Sequence, residues 1–220
     1  MLRAVLLLLI LLSPPGVLAQ AKLVEGFSRL PPGASVVLIP PDIELFEISA
    51  GGVAEPRADW TEVAERHVVA GFRKHKAWLF EYPRENQEAI GEVLRLHRAV
   101  SEAIVVHHFG SRKLPTKEGR LDWSLGPDAA PLAESCGADY ALFTWIRDTY
   151  ASGARKAAMT VGALFGVALM GGEQLAYTSL VELKTGRVVW FNRVRRMSGD
   201  LRDAEAAVET LDALLDGFPR

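Results

Sequence analysis

Sixteen consecutive residues, 157–172 (AAMTVGALFGVALMGG), carry no charge, and only Thr160 among them is clearly polar. Such a run can cross a bilayer, pack in a soluble core, or stand out as a contact element. As a helix it would measure about 24 Å at 1.5 Å per residue, short of the roughly 30 Å hydrocarbon core. Gly162, Gly166, Gly171 and Gly172 each lower helix propensity by about 1 kcal/mol relative to alanine. Gly162 and Gly166 form a G-x-x-x-G pair with Ala158 one turn earlier, a spacing that lets helices approach closely. A pore-forming β-hairpin would alternate polar and apolar residues, and this run does not. The expectation is a non-spanning helix, packed against the sheet or interfacial. Its candidate contact residues are Val161, Gly162, Leu164, Phe165, Gly166 and Leu169, because contiguous apolar surface marks an interface.

The amino terminus narrows the compartment. Arg3 precedes an apolar run from Ala4 to Leu12, followed by Pro14, Pro15 and Gly16 and by small residues at Ala19 and Ala21. That order is an export signal. The expected organisation is a signal peptide over 1–21, a linker over 22–33, and one α/β domain over 34–218 with an apolar insertion at 156–172. No cysteine lies near the start, so lipid attachment is not indicated, and the expected location is the periplasm or the medium. Without Arg3, 25 basic residues become 24 against 27 acidic ones, a balance that gives no electrostatic reason for nucleic acid as a partner. Cys136 is the single cysteine, which leaves no intrachain disulfide and favours burial as a small apolar residue.

Periodicity supplies the elements. Val36 to Ile39 reads as a strand stopped by Pro40 and Pro41, followed by a loop, AGGVAEPRAD. Asp59, with Glu62 three residues on, predicts a capped helix to about His75. AWLFEY (77–82) reads as a short strand. From Glu85 to about Phe109, apolar residues recur at three- and four-residue steps, one buried helical stripe. Residues 110–127 read as an exposed polar connection, and PLAESCGA as a short helix ending at Gly137. DYALFTWIRDTY (139–150) is the clearest strand. QLAYTSLVELKTGRVVWFNRV predicts a hairpin turning at 184–187. Residues 201–218 form an amphipathic helix with Leu201, Ala204, Val208, Leu211 and Leu215 inward, capped by Ser198 or Asp200. The order β-α-β-α-α-β-(apolar helix)-β-β-α predicts a mixed sheet covered by helices, with Tyr140, Trp145, Trp190 and Phe191 in its core.

CGADYALFTWIRDTY followed by YTSLVELKTGRVVWFNRV resembles the curli-assembly lipoprotein family, whose plan is similar in lipoprotein activators of penicillin-binding proteins and in the amino-terminal domain of TolB. The likeness in motif covers about 136–192. It implies a non-enzymatic envelope module that binds partner proteins or oligomerises. It transfers no catalytic residue, and the family's anchoring cysteine has no counterpart here.

The chemistry-bearing residues are sparse. His107 and His108 are adjacent, and neighbours on a helix point about 100° apart, which suits no single metal; His97 lies ten residues earlier. No H-E-x-x-H or Cys/His metal spacing occurs, and no G-x-S-x-G nucleophile turn. No cofactor and no metal is expected. Arg193, Arg195, Arg196 and Arg202 cluster near a strand end and fit the solvent side of an edge strand. The leading expectation is an exported, non-catalytic envelope protein that contacts other proteins, self-associates, or touches a membrane peripherally. The alternative is a periplasmic hydrolase or small-ligand binder with a polar cleft at His97, His107 and His108.

Overall fold

The computed structural model describes residues 21–75, 79–197 and 199–220, so the signal-peptide reading of 1–21 falls almost wholly outside the described residues. Residues 22–33, expected as a linker, are anchored at both ends. β1 (Lys22–Leu23) pairs antiparallel with Phe191 and Trp190, Val24 is buried, and the Leu30 amide donates to the Pro219 carbonyl at 2.7 Å.

β2 (Val36–Leu38) and β3 (Asp42–Ile48) form one extended line broken at Pro40–Pro41, residues with no N–H to give a ladder. Both run parallel to β6 (Tyr140–Ala151): β2 against Tyr140–Leu142, and β3 against Trp145–Ala151. The expected single strand ending at the prolines is therefore half of what exists. After them D-I-E-L-F-E-I alternates again, Ile43 and Leu45 buried and Asp42 and Glu44 half-exposed, a period-two signal the proline pair obscured. β4 (Ala54–Pro56), inside the stretch read as loop, pairs antiparallel with the end of β3.

The helices follow. In α1 (Ala58–His75), Asp59 lies within the first turn, ion-paired with Arg57 at 2.8 Å, and is not the cap expected of it. β5 (Phe80–Glu81) lies parallel to β2. A 3₁₀ turn (Arg84–Ile90) leads into α2 (Gly91–Ile104), which relaxes into a π-turn (Val105–Phe109). α3 (Ala130–Cys136) ends at Gly137 in the left-handed conformation, as expected. α4 (Gly153–Leu164) leaves the sheet after β6. β7 (Gln174–Glu182) and β8 (Val188–Arg196) make the expected hairpin. A Cβ at Gly186 in its turn would lie 2.2 Å from the Gly126 carbonyl oxygen, and φ there is +69°, so only glycine fits.

α5 (Ala204–Leu214) starts three residues later than its pattern suggests, capped by Asp203, whose carboxylate accepts from the Glu205 and Ala206 amides. Asp200 instead pairs with Arg202, and Ser198 is outside the described residues. The inward face of α5 is Ala207, Thr210, Leu211 and Leu214. Ala204 is exposed and Val208 half-buried, while Leu201 and Leu215 stay buried outside the helix.

The sheet order is β1-β8-β7-β6-β2-β5, with β3 continuing along β6 and β4 outside it. α1 and α5 cover one face over Leu45, Leu142, Ile146, Leu180 and Trp190. α2 and α3 cover the other over Val37, Phe143, Val181 and Phe191. Burial on both faces explains the near-continuous apolar run of β6. Tyr140, Trp190 and Phe191 are core; Trp145 is partly buried at its margin. The connection 110–127 is not the free polar loop expected. Leu121 and Leu125 are buried, and the Val188 amide donates to the Trp123 carbonyl at 2.9 Å, clamping the connection to the hairpin.

Candidate functional site

The apolar run becomes an arm standing off the sheet. Ser152 caps α4, its hydroxyl accepting from the Arg155 amide at 3.1 Å. The chain turns at Phe165–Gly166 and returns to Gln174. α4 buries no residue, so the packed alternative for this segment does not hold. Among the described residues no helix is long and apolar enough to cross a membrane.

The six candidate contact residues separate by position. Leu164 and Phe165 are each 80% exposed, and Val161 and Gly166 are exposed beside them. Gly162 and Leu169 are half-buried within the arm: a Cβ at Gly162 would sit 3.1 Å from the Val167 oxygen and 3.6 Å from Leu169 Cδ1. Gly166 follows the helix with φ +74°, so Gly162 and Gly166 do not form a helix-packing stripe. Val167 and Met170, not singled out from sequence, complete the exposed set; the absence of any charge over 157–172 was their available signal. At the base, Arg155 ties the arm to the body, donating to the Met170 carbonyl at 3.1 Å and the Ala50 carbonyl at 3.3 Å.

A buried polar network closes the root. Asp148, at 2% exposure, accepts at one oxygen from the Tyr150 hydroxyl and from Gln174 Nε2, both at 2.6 Å. Gln174 Oε1 accepts from Arg196 Nε at 2.8 Å, and Arg196 also reaches the Thr210 hydroxyl. The Tyr150 oxygen accepts from the Leu201 amide at 2.9 Å. Arg202 pairs with Asp200 and lies over both the Trp60 and Tyr150 rings. Burial lifts the Asp148 carboxyl to about 6, against the pull of its two donors. The arginine cluster thus divides. Arg195 is the exposed edge charge expected, paired with Glu173, while Arg193 lies over the Phe109 ring and Arg196 and Arg202 serve this network.

The three histidines are not brought together. His97 is buried, stacked on Phe143 at 3.9 Å, with Nε2 2.6 Å from the Ser179 hydroxyl and 3.1 Å from that of Ser101. Burial lowers its pKa to about 3, so it is neutral at physiological pH and a weak base. His107 and His108 sit in the π-turn beside Trp123. His107 Nδ1 is bonded to the Arg112 carbonyl at 2.6 Å, and His108 Nε2 accepts from Trp123 Nε1 at 2.7 Å. Burial, then neighbouring lysines, lower the His108 pKa. Among the described residues no three His, Cys, Asp or Glu side chains could hold a metal ion. Cys136 is partly buried, and burial raises its thiol pKa.

No protein-family model matches the chain, and no curated protein matches it in sequence. Among solved structures, it is similar to a variant PelC dodecamer from Paraburkholderia phytofirmans, at 13% identity and TM-score 0.44 over 93% of this chain and 99% of that one. A second PelC dodecamer from the same organism gives 14% identity and TM-score 0.42 over 91% and 98%. The LpoB C-terminal domain from Salmonella enterica gives 11% and 0.34 over 80% and 88%. At these scores and identities the likenesses carry no argument about what this chain does.

Proposed function

We propose that this chain is an exported, non-catalytic contact module that self-associates through the arm at 153–172. The observation that carries the reading is the arm tip. Val161 and Leu164, on a helix with no buried residue, and Phe165, Val167 and Met170, in the turn and return that follow it, all face solvent. Exposed apolar surface is unfavourable by about 25 cal/mol per Å² relative to burial, and a contiguous patch of it marks a contact site. A second copy presenting the same tip offers the matching surface that a two-fold contact requires. The envelope expected from the leader, the periplasm or the medium, is where this association would operate.

The test is light scattering on the purified protein over a concentration series, alongside a Leu164→Ser, Phe165→Ser double variant. The parent is expected to assemble and the variant to stay monomeric with an unchanged thermal midpoint. A parent that is monomeric throughout, or a variant that assembles as well as the parent, refutes the reading. Co-sedimentation with lipid vesicles by a strictly monomeric parent would turn the arm into a membrane contact instead. Amino-terminal sequencing of protein recovered from the cell checks the leader.

A further inference from the structure

β8 is covered on its outer side for only part of its length. It runs from Val188 to Arg196, but β1 pairs with Trp190 and Phe191 alone. Two residues before Phe191, the Val189 carbonyl accepts from the Val24 amide at 3.0 Å. Peptide groups along a strand point to its two neighbours by turns. Val189 and Phe191 therefore share a phase facing β1, and Arg193 and Arg195 continue it at the same two-residue step. Val194, between them, faces β7 opposite Ala176. Among the described residues no strand follows the line of β1 past Phe191, and the outward N–H and C=O groups of Arg193 and Arg195 have no partner.

The side chains around this open edge are basic. Arg193 lies 5.3 Å over the Phe109 ring, which packs 5.9 Å from Phe191. Lys22 stands opposite Phe191, and Lys113 Nζ donates to the His108 carbonyl at 2.7 Å. Burial first, then Lys22 and Lys113, lower the His108 pKa, so these cations crowd one spot. Arg195 holds Glu173 at 2.5 Å, and Lys117 holds Asp122 at 3.5 Å. Among the described residues no carboxylate pairs with Lys22, Lys113 or Arg193.

Unpaired peptide groups on a sheet edge are a template for one more strand, and the charge decides which strand. A second copy of this edge would set arginine against arginine, and like charges directly opposite destabilise a pair. An acidic strand sets carboxylates there instead. We propose that the β8 edge at residues 193–196 is a docking site for an extended acidic segment of a partner protein, added as a strand antiparallel to β8 in the line of β1. Main-chain bonds to Arg193 and Arg195 supply the attachment, and alternate side chains supply the selection. The residues directly opposite the two arginines are the acidic ones. Those between them point to the α5 face, beside buried Val194, and suit apolar side chains. The edge shares no residue with the arm tip, so it stands or falls independently of self-association.

The experiment reads the backbone amides of the purified protein by NMR. Hydrogen exchange comes first, then a titration to millimolar concentration with the acetylated, amidated peptide Glu-Val-Glu-Val-Glu. In the free protein the Arg193 and Arg195 amides are expected to exchange freely while Val194 stays protected. The peptide should give saturable shifts centred on Arg193 and Arg195 and slow their exchange. The same peptide N-methylated at its glutamates keeps the charges and loses the donors facing β8; it should not bind, and neither should Lys-Val-Lys-Val-Lys. Arg193→Glu should weaken binding of the acidic peptide about tenfold. Protection of Arg193 and Arg195 in the free protein overturns the proposal, because chain preceding Lys22 then already covers the edge. An acidic peptide that does not bind, or that binds Arg193→Glu as well as the parent, overturns it too. So does equal binding by the N-methylated or lysine peptide. Equal shifts from phosphatidylglycerol vesicles would make the patch a membrane contact and likewise defeat it.

Discussion

Gln174 donates to the buried carboxylate of Asp148 across the last rung of the β6–β7 ladder, at the point where the arm leaves the sheet. The bond joins the first residue of the returning strand to a side chain that reads, in sequence, as one more solvated acid. Above it lies the arm; beneath it Arg196 and Thr210 carry the network to α5.

Asp148 makes stability depend on pH with a definite sign. Its carboxyl rises from 3.8 to about 6 on folding, so the folded state binds the proton more tightly than the unfolded chain. The group's contribution is fully present below pH 4 and is lost as pH rises through 6. The difference amounts to roughly 3 kcal/mol. Asp148→Asn, which keeps an acceptor for Tyr150, is expected to remove this part of the pH dependence between 4 and 7. Urea unfolding at a series of pH values measures it; a variant whose slope matches the parent's contradicts the assignment.

Gly172 holds the root from the other side. A Cβ there would lie 2.2 Å from the Thr149 carbonyl oxygen, with φ at +150°. The Thr149 hydroxyl accepts from the Glu173 amide at 2.7 Å, so the backbone cannot retreat without losing that bond. Gly172→Ala should destabilise by about 1–3 kcal/mol and should speed hydrogen exchange at Glu173 and Gln174 before it affects β8. Thermal unfolding and exchange read the two effects.

The contact between α1 and α5 predicts a coupling. A Cβ on Gly71 would lie 2.4 Å from Leu211 Cδ1, and Leu211 is buried. Gly71→Ala should cost about 1–3 kcal/mol through overpacking, and Leu211→Ala about 2–5 kcal/mol through the cavity it leaves. Made together, they should cost less than the sum, because the new methyl occupies part of that void. Additive denaturation free energies would show that the helices are not packed this closely.

The arm tip should behave oppositely to the core. Leu164→Ser or Phe165→Ser removes a side chain 80% exposed and should shift stability of the isolated chain by no more than about 0.5 kcal/mol. Leu180→Ala, at a fully buried position of β7, should cost about 2–5 kcal/mol. Equal losses at the two places would mean that the arm packs onto the body.

Sequence alone carried the parts of this protein that depend on local pattern. The hairpin of β7 and β8, the α2 stripe, the Gly137 stop and the strand at β6 are written in period and turn chemistry, and so is the lack of charge along the arm. Tertiary structure decided the rest. Whether Pro40–Pro41 ends a strand or only interrupts it depends on β6, which offers two stretches of partner to one broken line. Whether 157–172 packs or projects depends on whether a face of the sheet is left to receive it, and α1, α2, α3 and α5 already cover both faces. Asp148 and Tyr177 look like ordinary β-strand residues until the fold buries them. Burial strips away water, and which partners then replace it is fixed by residues distant in the chain: Gln174 for Asp148, and for the Tyr177 hydroxyl no group among the described residues.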